Sequence, residues 1–159
     1  MKRISLLLLG LVLVTTATIA QSPGNVLEQN RAFTGAAATQ DQYHAIYQLD
    51  NNDPKVIEKT IRNINNALKD PRLAGKLQIE LVVFSGGTDA LLKGSKYEDN
   101  VKALVEKGVI VAQCGNTLKE RNINRDQLYD FIALVPSGNG ELIIRQAEGW
   151  AVIKPGIFL

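Results

Sequence analysis

Cys114 is the only cysteine among 159 residues, so no intramolecular disulfide can consume its thiol. A thiol reacts as its thiolate, and the partial positive charge at a helix start favours that form. Cys114 follows an apolar run and precedes Gly115, Asn116 and Thr117, which favour a turn over continued burial. A poised nucleophile fits that setting; a small apolar side chain finishing a buried strand fits it equally.

The other chemistry-bearing residues offer less. His44, the only histidine, lies near the start of the first expected strand, at the sheet edge opposite Cys114. A cysteine–histidine dyad would need the two adjacent, so His44 reads as structural. One Cys and one His do not make a zinc site, and no metal is expected. Ser85-Gly86-Gly87-Thr88 and Ser137-Gly138-Asn139-Gly140 lack the lysine and the glycine spacing of nucleotide-binding loops, so tight turns are the better reading and no cofactor is implied. Asp50 and Asp53 lie at the carboxyl edge of the first strand, with Asp53 in the place of a helix cap. Trp150 reads as core or subunit interface.

The elements that must position these residues follow from periodicity. Residues 43–49 are β-formers, followed by the turn cluster Asp50-Asn51-Asn52-Asp53-Pro54, which reads as a strand and then a helix with proline in its first position. Ile57, Ile61, Ile64 and Leu68 recur on one helical face, with Lys55, Glu58, Lys59, Arg62 and Asn65 on the other; Pro71 ends the helix. Residues 77–84 form a second strand, apolar on both faces from Leu81 to Phe84, as in a sheet covered on both sides. A short helix from Thr88 through Lys93, a helix over 97–107 and a strand over 109–112 come next. A short helix over 117–121, a turn over 126–129, a strand over 131–135, a helix over 141–148 and a strand over 150–153 complete the chain.

This alternation predicts an α/β fold: a single three-layer domain with an open parallel sheet of about five strands, helices on both faces and right-handed crossovers. Ligands bind such sheets beyond the carboxyl ends of the strands. Three loops fall there: Ser85 to Thr88, Gln113 to Thr117, and Pro136 to Gly140. Each leads toward a helix N-terminus, which favours an anion. The candidate site is therefore Cys114, supported by Gly115, Asn116, Thr117, Ser85, Gly86, Ser137 and Gly138.

Lys2 and Arg3, the apolar run from Ile4 to Val14 and the small residues ending at Ala20 have the layout of a cleavable secretory signal over residues 1–20. An uncleaved anchor is the alternative, weakened by Thr15, Thr16 and Thr18. The expected location is periplasmic or secreted, with no membrane attachment after cleavage. Residues 21–41, without a sustained apolar period, read as a flexible arm, and 42–159 as the domain. Lys and Arg number eighteen against sixteen Asp and Glu, and Lys2 and Arg3 account for the excess. A neutral mature chain has no electrostatic footprint for nucleic acid or an anionic membrane.

Tyr47-Gln48-Leu49-Asp50 with Asp53-Pro54, Cys114-Gly115-Asn116-Thr117-Leu118, Val135-Pro136-Ser137-Gly138, and Arg145 to Trp150 with Ile153-Lys154-Pro155 together resemble the DsrE/DsrF-like family, specifically its branch of small proteins often exported with a signal peptide. The resemblance covers about Tyr43 to Pro155. It implies a DsrE-like, Rossmann- or flavodoxin-like parallel sheet, assembly into homo-trimers or hexamers, and kinship with sulfur-relay proteins. In those relatives a cysteine after a central strand carries sulfur as a persulfide, and Cys114 is the matching position. Many members of the branch have a His-Gly pair where this chain has Ser85-Gly86, so a base beside the thiol is not expected.

The leading expectation is a sulfur carrier that exchanges sulfane sulfur on Cys114 with a donor or acceptor protein. The alternatives are a non-catalytic module binding a small anionic ligand at the same edge, and a structural oligomer whose tail, Gly156-Ile157-Phe158-Leu159, packs between subunits.

Overall fold

The computed structural model describes residues 23–156. The expected signal over residues 1–20 and the apolar tail beyond Gly156 lie outside the described residues. Helix α1 (Pro23–Ala32) falls inside the segment read as a flexible arm, in a compact unit separate from residues 37–159. Its described side chains, residues 25–32, are all exposed, so α1 has no buried apolar stripe for a periodicity argument to find.

The second unit is built on β1 (Tyr43–Leu49), β2 (Leu77–Val83), β3 (Ile110–Cys114), β4 (Ala133–Val135) and β5 (Ala151–Ile153). They form one sheet in the order β4-β3-β2-β1-β5, with every neighbouring pair parallel. The connections carry α2 (Pro54–Leu68), a 3-10 turn over Ser85–Leu91, α3 (Glu98–Glu106), α4 (Gly115–Glu120), a 3-10 turn over Arg125–Gln127 and α5 (Gly138–Ala147).

Helix α2 starts as its sequence dictates. The Asp53 carboxylate accepts the Lys55 N–H at 2.8 Å, and Pro54, with no N–H to leave orphaned, occupies the first turn. Val56, Ile57, Thr60, Ile61 and Ile64 are buried on one face. The four aliphatic residues among them pack on Ala45, Tyr47 and Leu49 of β1 and Ile79, Leu81 and Val83 of β2, together with Val101 and Leu104 of α3 and Leu118 of α4. Each fully buried aliphatic side chain there contributes roughly 1.5–3 kcal/mol.

The alternate strand residues face the other way. Ile46, Val82 and Trp150 form a smaller core, against which Phe84, Val135 and Leu142 of α5 pack. Right-handed crossovers account for this inequality. The chain steps from β1 through β4 in one direction, placing α2, α3 and α4 on one face, and then returns across the sheet to β5 through α5 on the other.

Two boundaries differ from expectation in ways that bear on the site. Strand β3 runs on through Gln113 and Cys114, because those residues pair with Leu134 and Val135 of β4. Helix α5 begins at Gly138, where a loop through Gly140 was expected, because the Ser137 hydroxyl accepts the Gly140 N–H at 3.2 Å and caps the first turn.

Candidate functional site

Strands β3 and β4 are neighbours whose connections part. Leu118 of α4, which follows β3, enters the larger core, while Leu142 of α5, which follows β4, packs on the smaller one. Parallel strands whose helices leave to opposite faces open a crevice at their carboxyl ends, the usual ligand position in such sheets. Cys114 is the last residue of β3, paired with Val135 at the end of β4, and so sits at that crevice.

Alternation along β3 gives Cys114 the face of Ala112 and Val82, the α5 side, and gives Gln113 the larger core. Cys114 is 5% exposed. Burial pushes its thiol up, but hydrogen bonding outweighs this: the Gly138 N–H first, then the N–H and hydroxyl of Thr117, then the Asn116 N–H. The thiol consequently lies below its ordinary value of 9.0. Cys114 also occupies the N-cap position of α4, and its side chain forms no cap hydrogen bond there, so the Asn116 and Thr117 N–H groups favour the thiolate as nearby dipoles rather than as bonded partners. Its donors converge from two helix starts, and all of them are neutral dipoles.

The Gly138 N–H is free for this task because it opens α5 and has no partner in the helical ladder. The residue must also be glycine: a Cβ there would stand 2.7 Å from Cδ1 of Phe84. Thr117 is buried, and its Oγ1 accepts the Ser85 N–H at 3.0 Å. Ser85 has φ 51°, a left-handed conformation it shares, among the described non-glycine residues, with Asn122. The turn behind it is clamped to the end of β1, since a Cβ on Gly87 would fall 2.3 Å from the Leu49 carbonyl oxygen and one on Gly86 3.2 Å from the Asn52 nitrogen. Arg121 spans the same region, donating to the Ser85 carbonyl at 2.9 Å and to the Asp89 carboxylate at 2.6 Å, while the Asn52 amide donates to the other Asp89 oxygen at 3.0 Å.

The candidate residues thus separate into groups. Gly138, Thr117 and Asn116 act on the sulfur itself. Gly115 permits the close approach of β4, its missing Cβ lying 3.3 Å from the Val135 carbonyl oxygen. Ser85 acts through Thr117, Gly86 shapes the turn, and Ser137 is the cap of α5. His44 stays apart from Cys114, its ring centroid 4.9 Å from that of Trp150. Asp53 caps α2, and Asp50 pairs with Lys154 at 2.6 Å; both line a cleft of about 400 Å³ beyond β1 and β5. Among the described residues no three His, Cys, Asp or Glu side chains are grouped to hold a metal ion.

Gln113, Arg121 and Phe84 were not read as site residues. Gln113 is fully buried beneath the site, its amide donating to the Cys114 carbonyl at 3.0 Å while its Oε1 lacks a partner. A polar residue ending an apolar strand was its available signal. Arg121 and Phe84 carry none, because their partners are distant in sequence.

A family model described as the DsrE/DsrF-like family matches residues 29–155. No curated protein matches significantly. Among solved structures, MTH1491 from Methanobacterium thermoautotrophicum, a protein of unknown function, is similar with 32% identity and a TM-score of 0.68, over 72% of this chain and 100% of that one. The ychN protein from E. coli is 18% identical with a TM-score of 0.57, covering 71% of this chain and 98% of its own. BT1422 from Bacteroides thetaiotaomicron, also of unknown function, is 10% identical with a TM-score of 0.56, covering 76% and 99%. The last two share the fold.

Proposed function

Because the chain belongs to the DsrE/DsrF-like family, we propose that it is a sulfur carrier of the sulfur-relay kind, holding sulfane sulfur as a persulfide on Cys114. The observation that supports this reading is the position of Cys114 at the parting of β3 and β4, with the Gly138, Thr117 and Asn116 donors favouring its thiolate. In the loading step the thiolate attacks a sulfane sulfur of a polysulfide. One S–S bond forms on Sγ, the bond to the rest of the donor breaks, and its electron pair leaves with the shortened polysulfide. No external oxidant or reductant enters. Transfer to an acceptor thiolate is the same exchange in reverse.

The N–H groups that favour the thiolate also suit an anionic persulfide, so loading costs the site little electrostatic reorganisation. Incubating the purified protein with polysulfide and weighing it intact tests the idea. The expected result is the addition of sulfur atoms to the wild type and none to Cys114→Ser. Wild-type protein that stays at its starting mass would overturn the carrier assignment. The reading extends to an exported protein working as a homo-oligomer, trimeric or hexameric, which the exposed Ile143 and Ile144 on α5 favour.

A further inference from the structure

Building on the carrier reading, we propose that Phe84 is the gate over Cys114 and sets the bulk of the sulfur donor that reaches it. Cys114 lies on the α5 side of the sheet between two strand ends. Val135 of β4 pairs with it on one flank; on the other, Val83 pairs with Gln113, so Phe84 is the next residue in register. Phe84 is extended, at φ −154° and ψ 176°, and alternation puts it on the face of Val82. Phe84 and Val135 both pack against the smaller core on that face.

The chain then crosses from one flank to the other. It leaves β4 at Val135, and three residues later Gly138 meets the Phe84 ring, so closely that a Cβ there would stand 2.7 Å from Cδ1 and 3.2 Å from Cγ. Strand β3 separates β4 from β2, a distance of two strand spacings or roughly 9–10 Å. Residues 136–138 therefore bridge the end of β3, and the meeting of Gly138 with Phe84 closes over Cys114. This accounts for a residue that ends its strand at the open edge of the sheet and is still only 5% exposed.

Of the two halves of this closure, the ring is the one free to move. Gly138 is buried in the first turn of α5, which the Ser137 cap holds. The backbone of Phe84 is fixed as well: its N–H donates to the Leu49 carbonyl at 3.0 Å, and its carbonyl accepts the Gly87 N–H at 3.0 Å. The Phe84 side chain is half-buried, so a turn about χ1 carries the ring toward solvent without breaking a hydrogen bond. The slot this opens is bordered by Val135 and the α5 backbone. An unbranched polysulfide chain enters such a slot; a donor branched next to its sulfur does not.

Two methanethiosulfonates read the gate without requiring sulfur transfer, and Cys114 is the only thiol they can label. In each, the thiolate attacks the thioalkyl sulfur, an S–S bond forms on Sγ, and methanesulfinate leaves with the electron pair of the broken bond. One probe carries a methyl group and the other a diphenylmethyl group. Each rate is divided by that of the same variant unfolded in urea, which cancels the intrinsic reactivity of the probes. Wild type is expected to favour the methyl probe by about tenfold or more, and Phe84→Ala to lose most of that preference. Phe84→Leu gives an intermediate preference and serves if the alanine variant is unfolded by circular dichroism. A wild-type preference in the folded Phe84 variant, equal entry of both probes into wild type, or a wild type that reacts with neither would each overturn the assignment. Probes sorted by size as expected, in a protein that gains no mass from polysulfide, would sink the carrier reading and leave the gate standing.

Discussion

Backbone amides and one hydroxyl do for Cys114 what a cationic neighbour does for many reactive cysteines, and they tie its chemistry to stability. The folded thiol lies below 9.0, so between that lowered value and the unfolded one the unfolded chain binds more protons at this site. Stability therefore rises with pH across the window, and the contribution is lost as pH falls through the folded value. Urea unfolding of wild type and Cys114→Ala should show a difference that grows in favour of wild type up to about pH 9 and is flat below the folded midpoint; a difference independent of pH would refute the lowered thiol. Gly138→Ala probes the leading donor. Its Cβ meets Phe84 at 2.7 Å, so we expect a loss of about 1–3 kcal/mol in unfolding and a raised thiol midpoint. Gly140→Ala, whose Cβ meets the Ser137 side chain at 3.3 Å, should leave the midpoint unchanged.

At the scale of elements, α5 and the strands beneath it hold a second buried charge. Glu80, in the middle of the sheet, is 1% exposed and accepts from Arg145 Nε at 2.8 Å. Arg145 also meets Glu141 at 3.1 Å and Glu148 at 3.3 Å, and its guanidinium carbon lies 4.2 Å from the centre of the Trp150 ring. Burial pushes Glu80 up, Arg145 pulls it down, and the two other glutamates push it up again, leaving it raised. For a raised carboxyl the stabilising contribution is present below the unfolded value and is lost as pH rises through the folded one. The stability of Glu80→Gln relative to wild type should therefore improve as pH rises through the Glu80 titration, because only the wild type then carries the buried charge. Equal stability of the two proteins at every pH would count against the buried charge.

The same elements show where sequence reasoning reaches. Asp53-Pro54 and the isoleucine spacing of α2 are local signals, and the helix forms where they place it. Cys114 was legible as the candidate from composition and from its place after an apolar run. Gly138 and Gly140 look like a turn until the Ser137 cap makes them helical, and β3 reaches Cys114 through pairing with a strand that begins at Ala133. Contacts such as Arg121 with Ser85, Phe84 with Gly138 and Arg145 with Glu80 join segments far apart in the chain, and no local period encodes them.

For the whole molecule, the unequal covering of the sheet is the dominant fact. Among the described residues α5 is the helix packed on the smaller core, and its outward side leaves Ile143 69% and Ile144 54% exposed, with Val152 of β5 at 40%. Ile143→Asp with Ile144→Asp should lower the mass measured by sedimentation if these residues join subunits; an unaltered mass, or a monomeric wild type, would remove that interface.

The pairing of Ala45 with Ala151 joins the first strand of the sheet to its last. During synthesis β1 must therefore wait, one flank bare, until the residues of β5 have also left the ribosome. Its row of unsatisfied amides and carbonyls, with Ile46 alongside, is a template for any other nascent chain in the same condition. A product ending before Gly149 is accordingly expected to precipitate rather than persist as a smaller domain, and pelleting after expression would show it.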